Sequence, residues 1–518
     1  MSNIKKILWA DDEIDMLKPH ILYLEKKGYC VIPVNSGEDA ISYCDKNRVD
    51  LVLLDEMMTG LDGLTTLKKI KEKYTSLPII MITKNEEEWL MEEAIAAQIT
   101  NYLTKPVNPS QILIACKNVL ESNKIQSERI AKDYLKSFQK ISEKIENANS
   151  IADWYQINDG LTDWSIKFDN LGDQGLGQLL KEQWNEANLQ FTKFIEKKYF
   201  NWLKSEDRPI MSPEIISSNI VECLEKNEKV VLLLMDCLRS DQLKSILTHF
   251  DTLFNIDIQY YLSILPTATP YSRNAIFSGY YPNQLQEKYP DIWKKMWLDS
   301  TSKNRYEEYF LREQINRLGY KSKSVNYHKI ISYEEGNKLE NRINEFKEVD
   351  LLALVVNFVD ILGHSRSESN VLQEMMPDES AYRKAVSSWM QNAWIMKVLK
   401  EISKWGHKVF LTSDHGSIMV TKPIRIKGDR TTSDGIRYKY GRNINTKEKF
   451  GLNISEPNDF YLPKHDINTN YLIAKSNNFF IYPNEYNKFV NRYKNSFQHG
   501  GISLEEMIVP IVKLDGKS

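Results

Sequence analysis

The sequence lacks any apolar run close to the roughly 20 residues that a membrane-spanning helix needs. Two of its longest apolar runs, residues 230–235 and 351–359, are only strand-sized. The chain has only five cysteines and no C-x-x-C pair, which excludes a disulfide-stapled scaffold and fits reduced thiols. The N-terminus becomes acidic by Glu13, before the apolar core of a signal peptide could form. A cytoplasmic protein is therefore expected.

An excess of one charge is also missing. The 68 Lys and Arg residues nearly balance 70 Asp and Glu residues, and the net charge of −2 excludes a uniformly basic nucleic-acid coat. A hydrophobic content of 42% excludes wholesale disorder. The chain is about 3.5 times as long as a typical domain of roughly 150 residues, so two to four domains are expected.

Three stretches that differ in their pattern of apolar residues and prolines predict a multidomain α/β protein. In residues 1–123, short apolar runs alternate with helical patterns, which predicts a parallel sheet with crossover helices. Residues 111–208 contain no proline, and an all-α bundle or linker is expected over 124–208, with a loop near 158–177. Residues 209–518 alternate again, which predicts a larger α/β domain.

The first stretch carries carboxylates where predicted strands end. Asp11 and Asp12 follow one strand and Asp55 follows another. The ends of parallel strands meet at one edge of a sheet, and three clustered carboxylates favour a hard cation such as Mg²⁺. Thr83 and Lys105 are expected at the same edge, where a hydroxyl and an ammonium suit a phosphoryl group that Mg²⁺ also holds.

These residues resemble the receiver domain of two-component response regulators. The motifs are Ala10-Asp11-Asp12-Glu13, Asp55-Glu56-Met57-Met58-Thr59-Gly60-Leu61-Asp62-Gly63, Thr83, and Tyr102-Leu103-Thr104-Lys105-Pro106. The resemblance implies a doubly wound, parallel five-stranded sheet and a sensor histidine kinase that phosphorylates Asp55. It further implies that Asp11, Asp12 and Asp55 hold Mg²⁺, that Thr83 and Lys105 contact the phosphoryl group, and that Tyr102 changes rotamer on activation. Thr59 departs from the proline that is usual in the family.

The third stretch repeats the pattern with histidines added. Asp236, Asp360 and Asp414 each follow an apolar run predicted to be a buried strand. His364 lies four residues after Asp360, and His415 directly follows Asp414. A lone histidine is usually a surface or core residue, but pairing with a strand-end carboxylate favours metal binding. Mixed Asp and His ligands suit Zn²⁺, with Mn²⁺ as the alternative.

A candidate nucleophile lies in the turn Pro266-Thr267-Ala268-Thr269-Pro270. A helix is predicted over 272–277, and a hydroxyl beside a helix N-terminus gains from the positive end of the helix dipole. A nearby metal could lower the pKa of such a hydroxyl. The alternative is that the threonines only form a turn and cap the helix.

Taken together, these residues resemble the alkaline phosphatase superfamily, in particular its PglZ branch. The matching order is Asp236, Thr269 with Ser278-Gly279 downstream, Asp360-x-x-x-His364, Asp414-His415-Gly416 and His499-Gly500-Gly501. The resemblance implies an α/β fold and two zinc ions, one held by Asp236, Thr269, Asp414 and His415, the other by Asp360, His364 and His499. Such a pair would stabilise both oxygens of an in-line phosphoryl displacement. The spacing to Ser278-Gly279 favours Thr269 over Thr267 as nucleophile.

A basic segment over 422–442 bears on the substrate. Tyr438 and Tyr440 interleave with its charges, so a loop that holds a polyanion and stacks a base is one interpretation and a solvated loop is the other. The predicted substrate contacts are Arg437, Tyr438, Arg442 and, beside the nucleophile, Arg273. The charged residues of the segment are Lys422, Arg425, Lys427, Asp429, Arg430, Asp434, Arg437, Lys439 and Arg442.

The whole chain resembles the PorX-type response regulators, which are tied to the type IX secretion system. No part resembles a duplex-DNA-binding helix-turn-helix, so an enzymatic or protein-binding output is expected. One hypothesis is a zinc phosphodiesterase acting on nucleotides or oligonucleotides, with a phosphomonoesterase as its variant. The other is a metal-stabilised docking surface for a sigma factor or a secretion-motor subunit. Phosphorylation is expected to promote a homodimer.

Overall fold

The structure is a computed structural model that describes residues 4–84, 88–169, 171, 174–299, 302–427, 435–466, 468–483 and 486–517. The chain forms two compact units, Met1–Tyr134 and Leu135–Ser518. The middle helices that follow Leu135 thus form one unit with the C-terminal domain, whereas the sequence pattern separated them at residue 208. Among the helices in these ranges, none is long and apolar enough to cross a membrane.

The first unit contains a five-stranded parallel sheet with strand order β2-β1-β3-β4-β5, which confirms the predicted doubly wound fold. β3 and β4 are buried along their whole length and apolar up to their last residues, Asp55 and Thr83, as expected for central strands. The elements are β1 (Lys6–Ala10), α1 (Lys18–Lys26), β2 (Cys30–Val34), α2 (Gly37–Lys46), β3 (Leu51–Asp55), α3 (Gly63–Lys73), β4 (Ile79–Thr83), α4 (Glu88–Ala96), β5 (Asn101–Thr104) and α5 (Pro109–Leu120), with a 3₁₀ turn at Ile14–Leu17.

Three long helices follow: α6 (Ser122–Asn147), α7 (Ile151–Phe168) and α8 (Gln174–Leu203). The loop predicted from residue 158 is wrong over its first half, because α7 continues to Phe168. Its buried apolar stripe runs through Ile157, Leu161 and Trp164, and a glycine within this stripe does not end the helix.

The second unit also contains an α/β domain built on a six-stranded mixed sheet. Its strands are β6 (Val230–Met235), β7 (Phe254–Leu262), β8 (Val325–Ile330), β9 (Leu351–Val356), β10 (Lys408–Thr412) and β18 (Ile508–Gly516). Their order is β7-β18-β10-β6-β9-β8. Strands β10, β6, β9 and β8 are parallel, and β18 is antiparallel to both of its neighbours. This confirms the predicted α/β class of the C-terminal domain.

Smaller elements surround this sheet. The strands are β11 (Ile418–Val420), β12 (Lys422–Arg425), β13 (Tyr438–Gly441), β14 (Gly451–Ile454), β15 (Asn470–Ala474), β16 (Asn478–Ile481) and β17 (Ser496–Gln498). The helices are α9 (Ile215–Asn219), α10 (Val221–Glu225), α11 (Ser240–Leu247), α12 (Thr269–Ser278), α13 (Pro282–Lys288), α14 (Pro290–Leu298), α15 (Glu307–Arg317), α16 (Tyr333–Arg342), α17 (Phe358–Arg366), α18 (Asn370–Met375), α19 (Glu379–Asn392), α20 (Trp394–Ile402), α21 (Tyr486–Tyr493) and α22 (Leu504–Met507). Three 3₁₀ turns lie at Ser212–Glu214, Ile343–Phe346 and Pro457–Phe460.

The central strands separate two apolar cores. In β6, Val231 and Leu233 pack into one core, while Leu232 and Leu234 pack into the other. Side chains that alternate between two buried faces make the strand apolar throughout, so the polar residue that follows it stands out in the sequence. The carboxyl ends of the parallel strands share one edge, and that edge carries the candidate site.

Two predicted boundaries of this domain were wrong. The strand expected over 351–359 ends at Val356, and Asp360 lies in the first turn of α17. The helix expected over 272–277 begins at Thr269. In both places apolar or turn-forming residues occupy the border, so hydrophobic periodicity does not mark it.

Candidate phosphorylation and metal sites

The receiver residues lie together at the carboxyl edge of the five-stranded sheet. Possible ligand atoms of Asp11, Asp12 and Asp55 lie within 4.8 Å of one another. The Lys105 Nζ atom is 2.6 Å from Asp55 Oδ1 and 3.1 Å from Asp11 Oδ2. Asp11 and Asp55 are buried, so the half-buried cation Lys105 serves two buried carboxylates.

Burial raises the pKa of Asp55 to about 6; the charges of Asp11 and Asp12 add to the rise, and Lys105 opposes it. Desolvation disfavours the charged form, and so do like charges nearby. A divalent cation would relieve this repulsion, and receiver domains typically use one.

Two expected switch residues are near this cluster. Thr83 is buried at the end of β4, where its hydroxyl donates a hydrogen bond to the Glu56 carboxylate. Tyr102 is half-buried in β5. The contact of Thr83 with Glu56 was not expected, because a residue directly after the acceptor aspartate has no distinguishing sequence pattern.

In the C-terminal domain, four of the predicted residues meet at one point. Asp236 follows β6, Asp414 and His415 follow β10, and Thr269 is the first residue of α12. Ligand atoms of Asp236, Asp414 and His415 lie within 4.8 Å of one another, and all three residues are buried. The Thr269 hydroxyl donates to Asp236 Oδ1 at 3.3 Å and lies 3.1 Å from His415 Nε2.

The tautomer of His415 follows from its neighbours. Its Nδ1 atom lies 3.1 Å from the carbonyl oxygen of Gly416, which can only accept a hydrogen bond. Nδ1 therefore carries the proton, and the lone pair of Nε2 points toward Thr269. This is the orientation that a metal-ligating imidazole needs.

The second cluster contains Asp360, His364 and His499. Asp360 and His364 are one turn apart on α17, and His499 directly follows β17. The Asp360 Oδ1 atom lies 3.3 Å from His364 Nε2 and 3.6 Å from His499 Nε2, and the two Nε2 atoms are 3.2 Å apart.

Charge and burial shift the pKa values of the two imidazoles in this cluster in opposite directions. The contact with Asp360 raises the pKa of His364, whereas burial lowers the pKa of His499 well below its usual value. Burial alone would raise the pKa of Asp360, but His364 and the other imidazoles outweigh it and lower that pKa. The charge of Asp360 is thus matched to neighbouring imidazoles.

Both clusters fit divalent cations. In the first, Asp414 Oδ2 is buried without a hydrogen-bond partner among the described residues, and an unpaired buried carboxylate oxygen is costly. In the second, one carboxylate and two imidazole nitrogens converge within 4.8 Å. The clusters adjoin, since the rings of His415 and His499 stack with centroids 4.3 Å apart. Alkaline-phosphatase-like domains typically use divalent metals.

Arg273 is placed differently from its predicted role. Its guanidinium is buried, with Nη1 2.6 Å from Asp236 Oδ2 and Nε 2.5 Å from Glu307 Oε1. Burial raises the pKa of Asp236 well above its usual value, and Arg273 opposes that rise. Arg273 therefore orients Asp236 and opposes its protonation, and the expectation of a guanidinium free for substrate was wrong.

Sequence reasoning missed two residues that support Asp236. Glu307 begins α15 and also accepts a hydrogen bond from Tyr327, and Asn357 Nδ2 donates to Asp236 Oδ2 at 2.9 Å. Neither has a recognisable motif. Asn357 follows β9 directly, so its place at the carboxyl edge of the sheet was the available signal.

The alternative nucleophile, Thr267, has another role. It is fully buried, its hydroxyl donates to the carbonyl oxygen of Gly501 at 2.8 Å, and it accepts from the Gly500 amide at 3.1 Å. These bonds join the nucleophile turn to the loop of His499. Thr269, in contrast, is half-buried and faces Asp236 and His415.

The basic segment also differs from expectation. Its ends form β12 and β13 instead of one loop. Arg437 is buried and paired with Glu506, and Tyr438 is buried edge-on to Tyr271 with ring centroids 5.5 Å apart, so neither side chain is available to a substrate. Arg442 is exposed and pairs with Asp466 at 2.9 Å. The predicted members Asp429, Arg430 and Asp434 lie outside the described residues.

Comparison with protein families divides the chain into three matches. The model of the response regulator receiver domain matches residues 7–117, and that of the PorX response regulator linker domain matches residues 124–203. The model of the BREX system PglZ alkaline phosphatase-like domain matches residues 215–514, more than half of the chain.

Curated relatives match the receiver. The alkaline phosphatase synthesis transcriptional regulatory protein PhoP of Bacillus subtilis is 32% identical over 23% of this chain and 50% of its own length. The transcriptional regulatory protein ResD of the same species is 34% identical over 23% of this chain and 49% of its own length. The chain thus spans about half the length of these relatives. Among solved structures, chemotaxis protein CheY4 of Vibrio cholerae is 28% identical over 23% of this chain and all of its own, with a TM-score of 0.22.

Proposed function

This chain belongs to the PorX-type response regulators, two-component proteins with a receiver, a linker and a PglZ alkaline phosphatase-like domain, and we propose that it is a phosphodiesterase controlled by phosphorylation of Asp55. The receiver implies a sensor histidine kinase as partner, and the PglZ domain suggests a phosphoesterase. The proposal adds the kind of ester, the nucleophile and the metal. We further propose that the protein is cytoplasmic and that its output regulates type IX secretion.

The position of Thr269 carries the proposal. Its hydroxyl is half-buried at the first position of α12, within 3.3 Å of Asp236 and 3.1 Å of His415. A helix N-terminus stabilises negative charge, so the threonine oxygen is well placed to attack a phosphorus atom. As the bond from Thr269 to phosphorus forms, the bond to the leaving alcohol breaks, and water later releases the phosphoryl group.

We assign two Zn²⁺ ions to the two clusters. Asp236, Asp414, His415 and Thr269 would hold one, and Asp360, His364 and His499 the other, because mixed carboxylate and imidazole ligands suit zinc. When bound, such a pair supplies positive charge for the attacking and leaving oxygens. The all-carboxylate receiver cluster of Asp11, Asp12 and Asp55 suits Mg²⁺.

The charges around Thr269 favour a diester over a monoester. A monoester phosphate carries an additional negative charge that needs a cationic partner. Arg273, the cation of the nucleophile turn, is already paired with Asp236 and Glu307. A diester carries a single negative charge at phosphorus and does not need that guanidinium.

Nucleotides or oligonucleotides are the substrates that we propose within this class. Exposed Lys422, Arg425 and Arg442 remain as cations for neighbouring phosphates. The stacking contribution that was expected from Tyr438 is withdrawn, because its ring is buried. Charge reversal at Arg442 should therefore weaken cleavage of a dinucleotide more than that of a small chromogenic diester.

The test is turnover of purified, zinc-loaded protein on a matched panel. Bis(4-nitrophenyl) phosphate and a dinucleotide represent diesters, and 4-nitrophenyl phosphate and a nucleoside monophosphate represent monoesters. Faster turnover of the diesters supports the proposal. Faster turnover of the monoesters would overturn the proposed class, and no turnover of either would favour the docking hypothesis, in which the domain binds a sigma factor or a secretion component.

A further inference from the structure

We propose that the linker helix α8 positions both metal-ligand loops of the C-terminal domain through one side chain, Asn188, and the short helix α22. The inference rests on the proposed function insofar as it treats His415 and His499 as ligands. It adds a positioning residue outside the PglZ domain, and with it a route by which the linker controls the site.

Asn188 holds α22 by two hydrogen bonds. It is almost fully buried in α8, and its Oδ1 atom accepts from the Leu504 amide at 2.8 Å while its Nδ2 atom donates to Glu505 Oε2 at 2.9 Å. A carboxamide both accepts and donates, so asparagine satisfies a helix-terminal amide and a carboxylate together. An apolar residue would leave both groups unpaired.

The backbone of α22 is pressed against the first metal-ligand loop. Gly416, which directly follows His415, donates its amide to the carbonyl oxygen of Glu506 at 3.1 Å. A Cβ atom at Gly416 would lie 2.0 Å from the carbonyl oxygen of Glu505. Only glycine permits this approach, so the position of α22 fixes the backbone next to His415.

A side chain of α22 holds the second loop. Glu506 accepts from the Gly501 amide at 2.8 Å, two residues after His499, and Arg437 fixes that carboxylate by a buried ion pair. Gly501 in turn accepts the hydroxyl of Thr267 in the nucleophile turn. A displacement of α22 would therefore move the His415 loop, the His499 loop and the turn that carries the nucleophile.

Two further contacts of α8 with the C-terminal domain are also polar. Thr192 Oγ1 lies 3.4 Å from Ser476 Oγ, and Lys475 pairs with Glu196. Polar contacts are directional and weaken steeply when their geometry changes, so a small shift of α8 is transmitted through specific bonds. The buried Asn188 pair is the link that reaches the metal-ligand loops.

The test measures zinc affinity in the full-length protein by competition with a chromogenic chelator. Asn188→Ala should weaken binding at both sites by roughly tenfold or more, the effect typical of removing a group that supports metal ligands. Asn188→Asp keeps the acceptor for the Leu504 amide but places a second carboxyl group next to Glu505. This variant should therefore bind zinc at least as weakly as Asn188→Ala. Asn185→Ala, at an exposed position on the same helix, is the matched control and should leave both affinities unchanged.

The double variant Asn188→Asp with Glu505→Gln exchanges donor and acceptor between the two side chains. It should restore zinc affinity to within about threefold of the wild type, a smaller difference than the roughly tenfold loss expected for Asn188→Ala. A merely structural asparagine would not be rescued in this way. The proposal is overturned if Asn188→Ala keeps both affinities, or if the double variant binds zinc no better than Asn188→Asp. Because the readout is zinc binding, absence of esterase activity in the wild type would contradict the proposed function and leave this test intact.

Discussion

At the scale of single residues, the C-terminal site combines buried carboxylates with few counter-charges. Asp236 is flanked by Asp414 on one side and by the pair of Arg273 and Glu307 on the other. Burial and the neighbouring carboxylate both disfavour its charged form and raise its pKa, and the Arg273 guanidinium opposes that rise. The stability of the metal-free protein should therefore depend on Arg273.

Arg273→Met should lower the free energy of unfolding of the metal-free protein by about 3–5 kcal/mol, because it leaves Asp236 and Glu307 buried without their cation. Urea unfolding after chelator treatment measures the difference. Arg312→Met is the matched control, because its pairing with Glu308 is on the exposed face of α15 and should contribute less than about 1 kcal/mol. Equal effects of the two substitutions would contradict the role given to Arg273.

Glu505 makes stability depend on pH in the direction opposite to most carboxylates. Burial raises its pKa from 4.5 to about 7 in the folded protein. Between these values the unfolded chain loses the proton first, so unfolding becomes easier as pH rises from about 4.5 to 7. At about 1.4 kcal/mol per pH unit the loss is at most about 3.5 kcal/mol.

Glu505→Gln should remove that loss, because the neutral amide does not titrate. The variant should be more stable than the wild type at pH 8, and the two should converge near pH 5. Denaturant unfolding of the zinc-loaded proteins across this range measures the effect. A stability difference that stays constant with pH would show that Glu505 is charged throughout.

At the scale of elements, the strands that carry functional residues were predictable and their helical neighbours were less so. β6 is uniformly apolar and β10 is apolar in its interior, and they are followed by Asp236 and by Ser413-Asp414, so a change of polarity marks each end. Asn357 alone marks the end of β9, and Phe358 and Val359 then continue the apolar pattern into α17, so the predicted strand was too long. β2 lacks such a signal in the sequence, because it is a half-exposed edge strand with a proline.

The candidate site was predictable for the same physical reason. All of its proposed ligands except His364 follow buried strands or lie in the first turn of a helix, where the chain must change from apolar to polar. The supporting residues Glu307 and Asn188 are different: they act through contacts distant in sequence, and no local pattern marks them. Arg437 shows a different kind of error. Its place in a basic segment led to the expectation that it contacts the substrate, but it is a buried partner of Glu506.

Gly177→Ala should raise the free energy of unfolding by about 0.5–1 kcal/mol, because glycine within a helix costs conformational entropy relative to alanine. Gly177 lies in α8, and an added Cβ atom there would meet no atom within 4 Å. Urea unfolding of the full chain measures the change. A destabilisation would mean that α8 does not continue through this residue in solution.

At the scale of the whole molecule, the order of domains followed from motifs that are each local. The receiver and effector motifs placed an input and an output on one chain, and the family matches confirm that arrangement. The compact units did not follow from sequence, since the helices after Leu135 belong with the C-terminal domain. Buried bonds such as those of Asn188 join them, and these pairings span more than 300 residues.

Phosphorylation of Asp55 should strengthen self-association of the full-length protein. A phosphoryl group at Asp55 would draw Thr83 from Glu56 and allow Tyr102 to turn inward, which changes the surface of the receiver. Sedimentation velocity with a small phosphodonor and Mg²⁺ should show a shift to a larger species. Asp55→Ala should show no shift and no added phosphoryl mass, and an equal shift in this variant would contradict the mechanism.

The central claim is that Thr269 is the nucleophile of a zinc phosphodiesterase, and its most direct test is the turnover of Thr269→Ala on bis(4-nitrophenyl) phosphate. Zinc content and secondary structure of the variant are measured in the same preparation, so that loss of metal or fold is separated from loss of the hydroxyl. The expected result is a fall of several orders of magnitude with most of the zinc retained, as is usual when a covalent nucleophile is removed. Undiminished turnover in a zinc-loaded Thr269→Ala protein would contradict the account.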